Sequence, residues 1–140
     1  MFRSVLTLAL LFSAPAFAAP PPKDSEDWKI MQPYTEWVTG QHDNKGRWCC
    51  DIGDGRPVDS RITGEHWEAH VTWEHFPGLL QVCGGPIAGP GSMPCQPMGP
   101  NGVWLEIPTD KITRNANPIG TAILWLFQSR VQCFAPPDGV

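Results

Sequence analysis

Polar and apolar residues alternate with period two over His66-Trp67-Glu68-Ala69-His70-Val71-Thr72-Trp73-Glu74. Trp67, Ala69, Val71 and Trp73 fall on one face, and His66, Glu68, His70, Thr72 and Glu74 on the other, which predicts a half-buried β-strand. Residues 56–63 precede it as the partner strand, with the chain reversing at Gly64. Val103, Leu105 and Ile107 alternate with Trp104 and Glu106 in a further strand, and Pro108 ends it because proline has no N–H for the ladder. Residues 121–127 and 130–135 are β-branched and aromatic runs separated by Gln128-Ser129, which reads as a hairpin closed off by Pro136-Pro137.

Helical signals are few. Asp24 or Ser25 caps a short helix over residues 26–31, and Pro33 is expected to end it, since the residue before a proline avoids the helical region. Residues 77–102 hold six prolines and seven glycines without a collagen-like period. That composition predicts a long irregular insertion loop with no buried secondary structure. Together these elements predict a mainly β fold: a small antiparallel sheet or partly open barrel over one core, with a short N-terminal helix and a long Pro/Gly-rich loop.

The chain start changes the compartment. Arg3, the apolar run over residues 5–12 and Ala16-Phe17-Ala18 have the order of a secretory signal peptide over residues 1–18, with cleavage before Ala19. Removal of 18 of the 140 residues leaves 122, residues 19–140, the size of a single domain. The apolar run falls short of the roughly 20 residues that cross a bilayer, and no later run is a second candidate for a transmembrane segment. A periplasmic or secreted protein is expected. Its formal charge of −4 and pI of about 5.4 disfavour nucleic acid and anionic membrane surfaces as partners.

Export turns the five cysteines into disulfide candidates. Cys49 and Cys50 are neighbours, and Cα atoms about 3.8 Å apart are too close for an unstrained bridge. Each must therefore look elsewhere. Cys83 and Cys95 both lie in the Pro/Gly-rich segment and are the first expected pair. The second joins one of Cys49 and Cys50 to Cys133 in the last strand, with Cys50 the candidate for the bridge and Cys49 the candidate odd thiol, which could join two chains into a dimer.

The ordered stretches WCCDIGDGRPVD, HWEAHVTW, VWLEIPTDKI, NPIGTAILWL and VQCFAPP resemble a group of small secreted proteobacterial proteins of unknown function. Those proteins pair a Cys-Cys near the start with a C-terminal Cys-Phe-x-Pro. The similarity covers roughly residues 49–136, with 77–101 as an insertion. It implies an exported, disulfide-stapled protein and carries no catalytic residue over to this chain.

Familiar chemistries find little footing. His66-Trp67-Glu68-Ala69-His70 is not the His-Glu-x-x-His of zinc proteases. On a strand His66 and His70 stand about 13 Å apart, too far to share an ion with ligand distances of about 2 Å. The metal alternative is reduced to Glu68 with His66 or His70 and a ligand from elsewhere, so no metal or cofactor is assigned. There is no Cys-x-x-Cys, and the aspartates around Gly53 and Gly55 fail the calcium-loop spacing. A cysteine-dependent enzyme would need Cys49 or Cys50 beside a cation. The leading expectation is a non-catalytic binding or structural protein, with an extracytoplasmic protein or cell-envelope ligand as partner. Trp104, which shares its face with Glu106, is the candidate ligand contact because an indole offers a large area with few rotors.

Overall fold

The computed structural model describes residues 21–50, 54–85 and 93–137. The signal segment 1–18 lies outside them. Among the described residues the fold is mainly β, built on two sheets with no closed barrel. Helix α1 (Glu26–Met31) begins where the Ser25 hydroxyl accepts the Trp28 amide at 3.2 Å, and Glu26 and Asp27 place negative charge at the positive end of the helix. As expected, α1 ends at Met31, just ahead of Pro33. A 3₁₀ turn over Gln32–Tyr34 carries it at an early position, where its missing N–H costs nothing, and the chain runs on into α2 (Thr35–Thr39).

Eight strands follow among the described residues: β1 (Gly55–Val58), β2 (Ser60–Thr63), β3 (His66–Val71), β4 (Gln81–Cys83), β5 (Cys95–Pro97), β6 (Val103–Glu106), β7 (Ala122–Phe127) and β8 (Arg130–Ala135). One sheet has the order β1-β7-β8-β4-β5 and the other β2-β3-β6. All pairs are antiparallel except β4 with β8, which meet at Cys83 and Arg130. The expected single strand over residues 56–63 is thus two strands that part at Asp59 and enter different sheets. Trp73, expected on the core face, lies beyond the end of β3 and is exposed.

β7 reads Ala-Ile-Leu-Trp-Leu-Phe, apolar on both faces, and both faces are covered. Ala122, Leu124 and Leu126 meet Ala69 and Val71 of β3, Leu105 of β6 and Phe134 of β8 between the two sheets. Ile123 and Trp125 meet Met31 of α1, Val38 of α2, Cys49, Cys133 and Ala135 on the other side. The molecule therefore has three layers and two apolar clusters where one core was expected. A bulge in the β7–β8 ladder at Trp125/Leu126 lets Val131 and Cys133 face opposite layers although they are two residues apart.

The bridges are Cys49–Cys133 and Cys83–Cys95. The second was expected. The first corrects the assignment of Cys50 to Cys133, because Cys49 is the residue whose amide is held by the Gln41 carbonyl at 3.0 Å and whose side chain is fully buried beside Cys133. Cys50 is half-buried, takes a positive φ of 80° and stands outside both bridges. The expectation of a wholly irregular 77–102 is corrected as well. β4 and β5 lie within it, Val82 is fully buried and Leu79 packs on the inter-sheet core, because apolar residues beside the prolines fit between the layers. Residues 86–92 lie outside the described residues.

Candidate functional site

The registers of the three-stranded sheet decide which side chains share its outer face. Arg61 lies opposite Glu68, which lies opposite Glu106; Thr63 faces His66, and His70 faces Trp104. Ala69, Val71 and Leu105, one residue out of step, are buried against the other sheet, so this polar set points outward. The sequence alternation that predicted β3 is also what builds the site.

Two carboxylates placed directly opposite each other repel, and each is given its own cationic or polar partner. Arg61 Nε donates to Glu68 Oε2 at 2.6 Å, and the Thr63 hydroxyl donates to the same oxygen at 2.9 Å. The Arg61 hydrogen bond first, then that of Thr63, holds the Glu68 carboxyl below its ordinary range. His66 Nδ1 lies 3.7 Å from Glu106 Oε1, with both side chains about half exposed.

Trp104, on the edge strand β6, gathers two partners on this face. Its ring stacks on His70 with centroids 4.7 Å apart and planes 12° from parallel, and the Arg61 guanidinium carbon lies 4.0 Å from the ring centroid. Arg61 thus serves Glu68 and Trp104 together. His70 is fixed in turn by Nε2 donating to the Asn101 carbonyl at 2.9 Å. That carbonyl is presented by the turn closed by the Gly102 amide on the Gly99 carbonyl, with Gly102 at φ +75°. A Cβ on Gly102 would sit 2.5 Å from the Val71 carbonyl oxygen and 2.9 Å from His70 Nε2, so only glycine fits there.

Of the sequence candidates, His66, Glu68, His70 and Trp104 come together on this face. The three metal candidates nonetheless have separate partners: Glu68 holds Arg61 and Thr63, His66 neighbours Glu106, and His70 holds Asn101 and Trp104. Among the described residues no group of three or more His, Cys, Asp or Glu is placed to hold one ion. Arg61 was missed, although a reversal at Gly64 and Glu65 sets it opposite Glu68 by simple pairing.

A second polar cluster had no sequence signal. His75 Nδ1 lies 3.1 Å from both oxygens of Asp27 on α1. The hydrogen bond to Asp27 raises the His75 pKa above its ordinary value against an opposing cost of burial, with Asp27, Glu74 and Asp59 adding charge in the same direction. Arg56, buried beside them, donates from Nε to the His75 carbonyl at 3.0 Å and from Nη1 to the Gly55 carbonyl at 2.8 Å, and burial lowers its pKa. This cluster joins the helical layer to the end of β3.

Comparison with protein-family models, curated proteins and solved structures finds no match for the chain.

Proposed function

We propose that the protein is exported and acts outside the cytoplasm as a non-catalytic binding or structural protein, with the outer face of the β2-β3-β6 sheet as its contact surface. One observation carries this reading: Trp104 is clamped by His70 and Arg61 on a face that turns away from the core. A ring already held in place loses little conformational freedom when a partner docks on it. Around it Glu68, Glu106, His66 and Thr63 supply donors and acceptors in fixed register. An outward sheet face of polar side chains around an indole suits a protein or an extended cell-envelope ligand better than a small molecule, which calls for a concave pocket.

Export is supported by the signal-like residues 1–18 and by the two disulfides, which persist in oxidising compartments. No helix among the described residues is long and apolar enough to cross a membrane. Intact-mass analysis of material from the cell envelope or medium tests the export half; a mass beginning at Ala19 supports it and retention of Met1 contradicts it.

The binding half is tested by immobilising the wild-type protein, Trp104→Ala and Trp48→Ala and passing envelope extract over each. Trp48 is about half exposed and lies outside the sheet face, so it controls for loss of any exposed indole. A species retained by wild type and Trp48→Ala and lost with Trp104→Ala is the expected result. Equal retention by all three contradicts the assignment.

A further inference from the structure

Cys83 and Cys95 are direct cross-strand partners in the β4–β5 ladder. The Cys83 amide donates to the Ser129 carbonyl on the β8 side at 2.8 Å, so it points away from β5 and the pair occupies a non-hydrogen-bonded position. Pro97 opposite Gln81 has the same parity, which is where an edge strand tolerates proline. At its Cys95 end, therefore, β5 is tied to the sheet by the disulfide where the backbone makes no bond.

The two sulfur environments differ. Cys83 is 1% exposed, whereas Cys95 is only half-buried on the edge strand. Arg130 reaches across from β8: Nη1 donates to the Gly85 carbonyl at 2.7 Å, and Nη2 lies 3.8 Å from Cys95 Sγ. The other bridge is of a different kind, since Cys49 and Cys133 are both fully buried in the cluster under the helices.

We propose that Cys83–Cys95 is a thiol–disulfide exchange site that takes a dithiol, attacked at Cys95, and that its opening frees the Cys95 end of β5. A thiolate of the dithiol bonds to Cys95 Sγ as the Cys83–Cys95 bond breaks. The Cys83 sulfur leaves with the electron pair and takes a proton from water. The second thiolate of the dithiol then attacks its own partner sulfur in the mixed disulfide, and Cys95 leaves as a thiolate beside the Arg130 guanidinium. The dithiol ends as a disulfide and the bridge has gained two electrons. Arg130 attracts the incoming thiolate and stabilises the departing one, the electropositive setting that reactive cysteines require.

The test is timed reduction of the oxidised full-length protein with dithiothreitol, alkylation and peptide mapping. Cys83 and Cys95 are expected to be captured at least about tenfold faster than Cys49 and Cys133, as access governs the rate. Arg130→Gln should slow the opening about threefold, because the incoming thiolate no longer meets a cation at Cys95, and Arg130→Lys should restore it. Simultaneous opening of both bridges, or an Arg130→Gln rate equal to wild type, would overturn the proposal. The reduced wild-type protein provides an independent reading should Arg130→Gln not fold. Alkylation of its Cys95 should show a midpoint below the free-thiol value of about 8.5, and a midpoint at or above it refutes the role of Arg130.

Discussion

His75 Nδ1 and the Asp27 carboxylate, 48 residues apart in sequence, meet at 3.1 Å and fasten α1 to the strand layer.

The pairing makes stability depend on pH with a definite sign. His75 has a raised pKa in the folded protein. Its contribution is fully present below the unfolded value of about 6.5 and is lost as pH rises through the folded value. Asp27→Asn should cost on the order of 1 kcal/mol at pH 6, for a charged hydrogen bond that is partly solvated. In urea unfolding the gap between wild type and Asp27→Asn should narrow as pH rises past the His75 titration. A gap that stays constant or widens contradicts the latch.

The two bridges close loops of different length. Cys49–Cys133 spans 84 residues of sequence and Cys83–Cys95 spans 12. In the chain-entropy model the long bridge contributes about 4–5 kcal/mol and the short one about 3. Cys133→Ser should therefore destabilise more than Cys95→Ser, and Cys50→Ser should leave the Cys49–Cys133 peptide intact on non-reducing mapping. A Cys50–Cys133 peptide from the wild-type protein would contradict the assignment.

Much of the strand pattern was legible because the signals were local. β3 and β6 alternate, β7 and β8 are β-rich runs around a two-residue turn, and the reversal at Gly64 lies between β2 and β3. What was missed depends on the third dimension. β7 is apolar at every position, and such a run does not say that one face meets a second sheet and the other meets helices. The break at Asp59 has no proline or glycine of its own; Val58 pairs with Ala122 while the Asp59 carbonyl accepts the His70 amide, so the strand changes partners within one residue. β4 and β5 are three residues each in a Pro/Gly-rich stretch, too short to show a period. For the site, Trp104 and the histidines followed from alternation, whereas the stack on His70 and Arg61 needed the register of all three strands.

Thr113 Oγ1 is buried without a hydrogen-bond partner among the described residues. A buried hydroxyl in that state carries a desolvation cost that a methyl of the same shape does not. Thr113→Val should raise stability by up to about 1 kcal/mol, measured as a higher denaturant midpoint at unchanged slope. A loss of stability would show that the hydroxyl is satisfied by ordered water.

Gly102 links the fold to the face. Gly102→Ala forces a side chain into the left-handed region and against the Val71 carbonyl, at a cost of at least about 2 kcal/mol. It should also displace the Asn101 carbonyl from His70 and weaken the near-ultraviolet dichroism of the Trp104 stack. An unchanged spectrum at matched folded fraction contradicts the coupling.

The most direct test of the outer sheet face as a contact surface compares affinity with stability at Trp104. Once a retained species is in hand, calorimetric titration against wild type, Trp104→Ala and Trp48→Ala separates the two quantities. Trp104→Ala is expected to weaken binding by 2 kcal/mol or more, about thirtyfold, the size of an interface hot spot. Its unfolding free energy should fall by less than that, and Trp48→Ala should bind as wild type does. Wild-type affinity in Trp104→Ala, at a folded fraction verified in the same sample, would contradict the account.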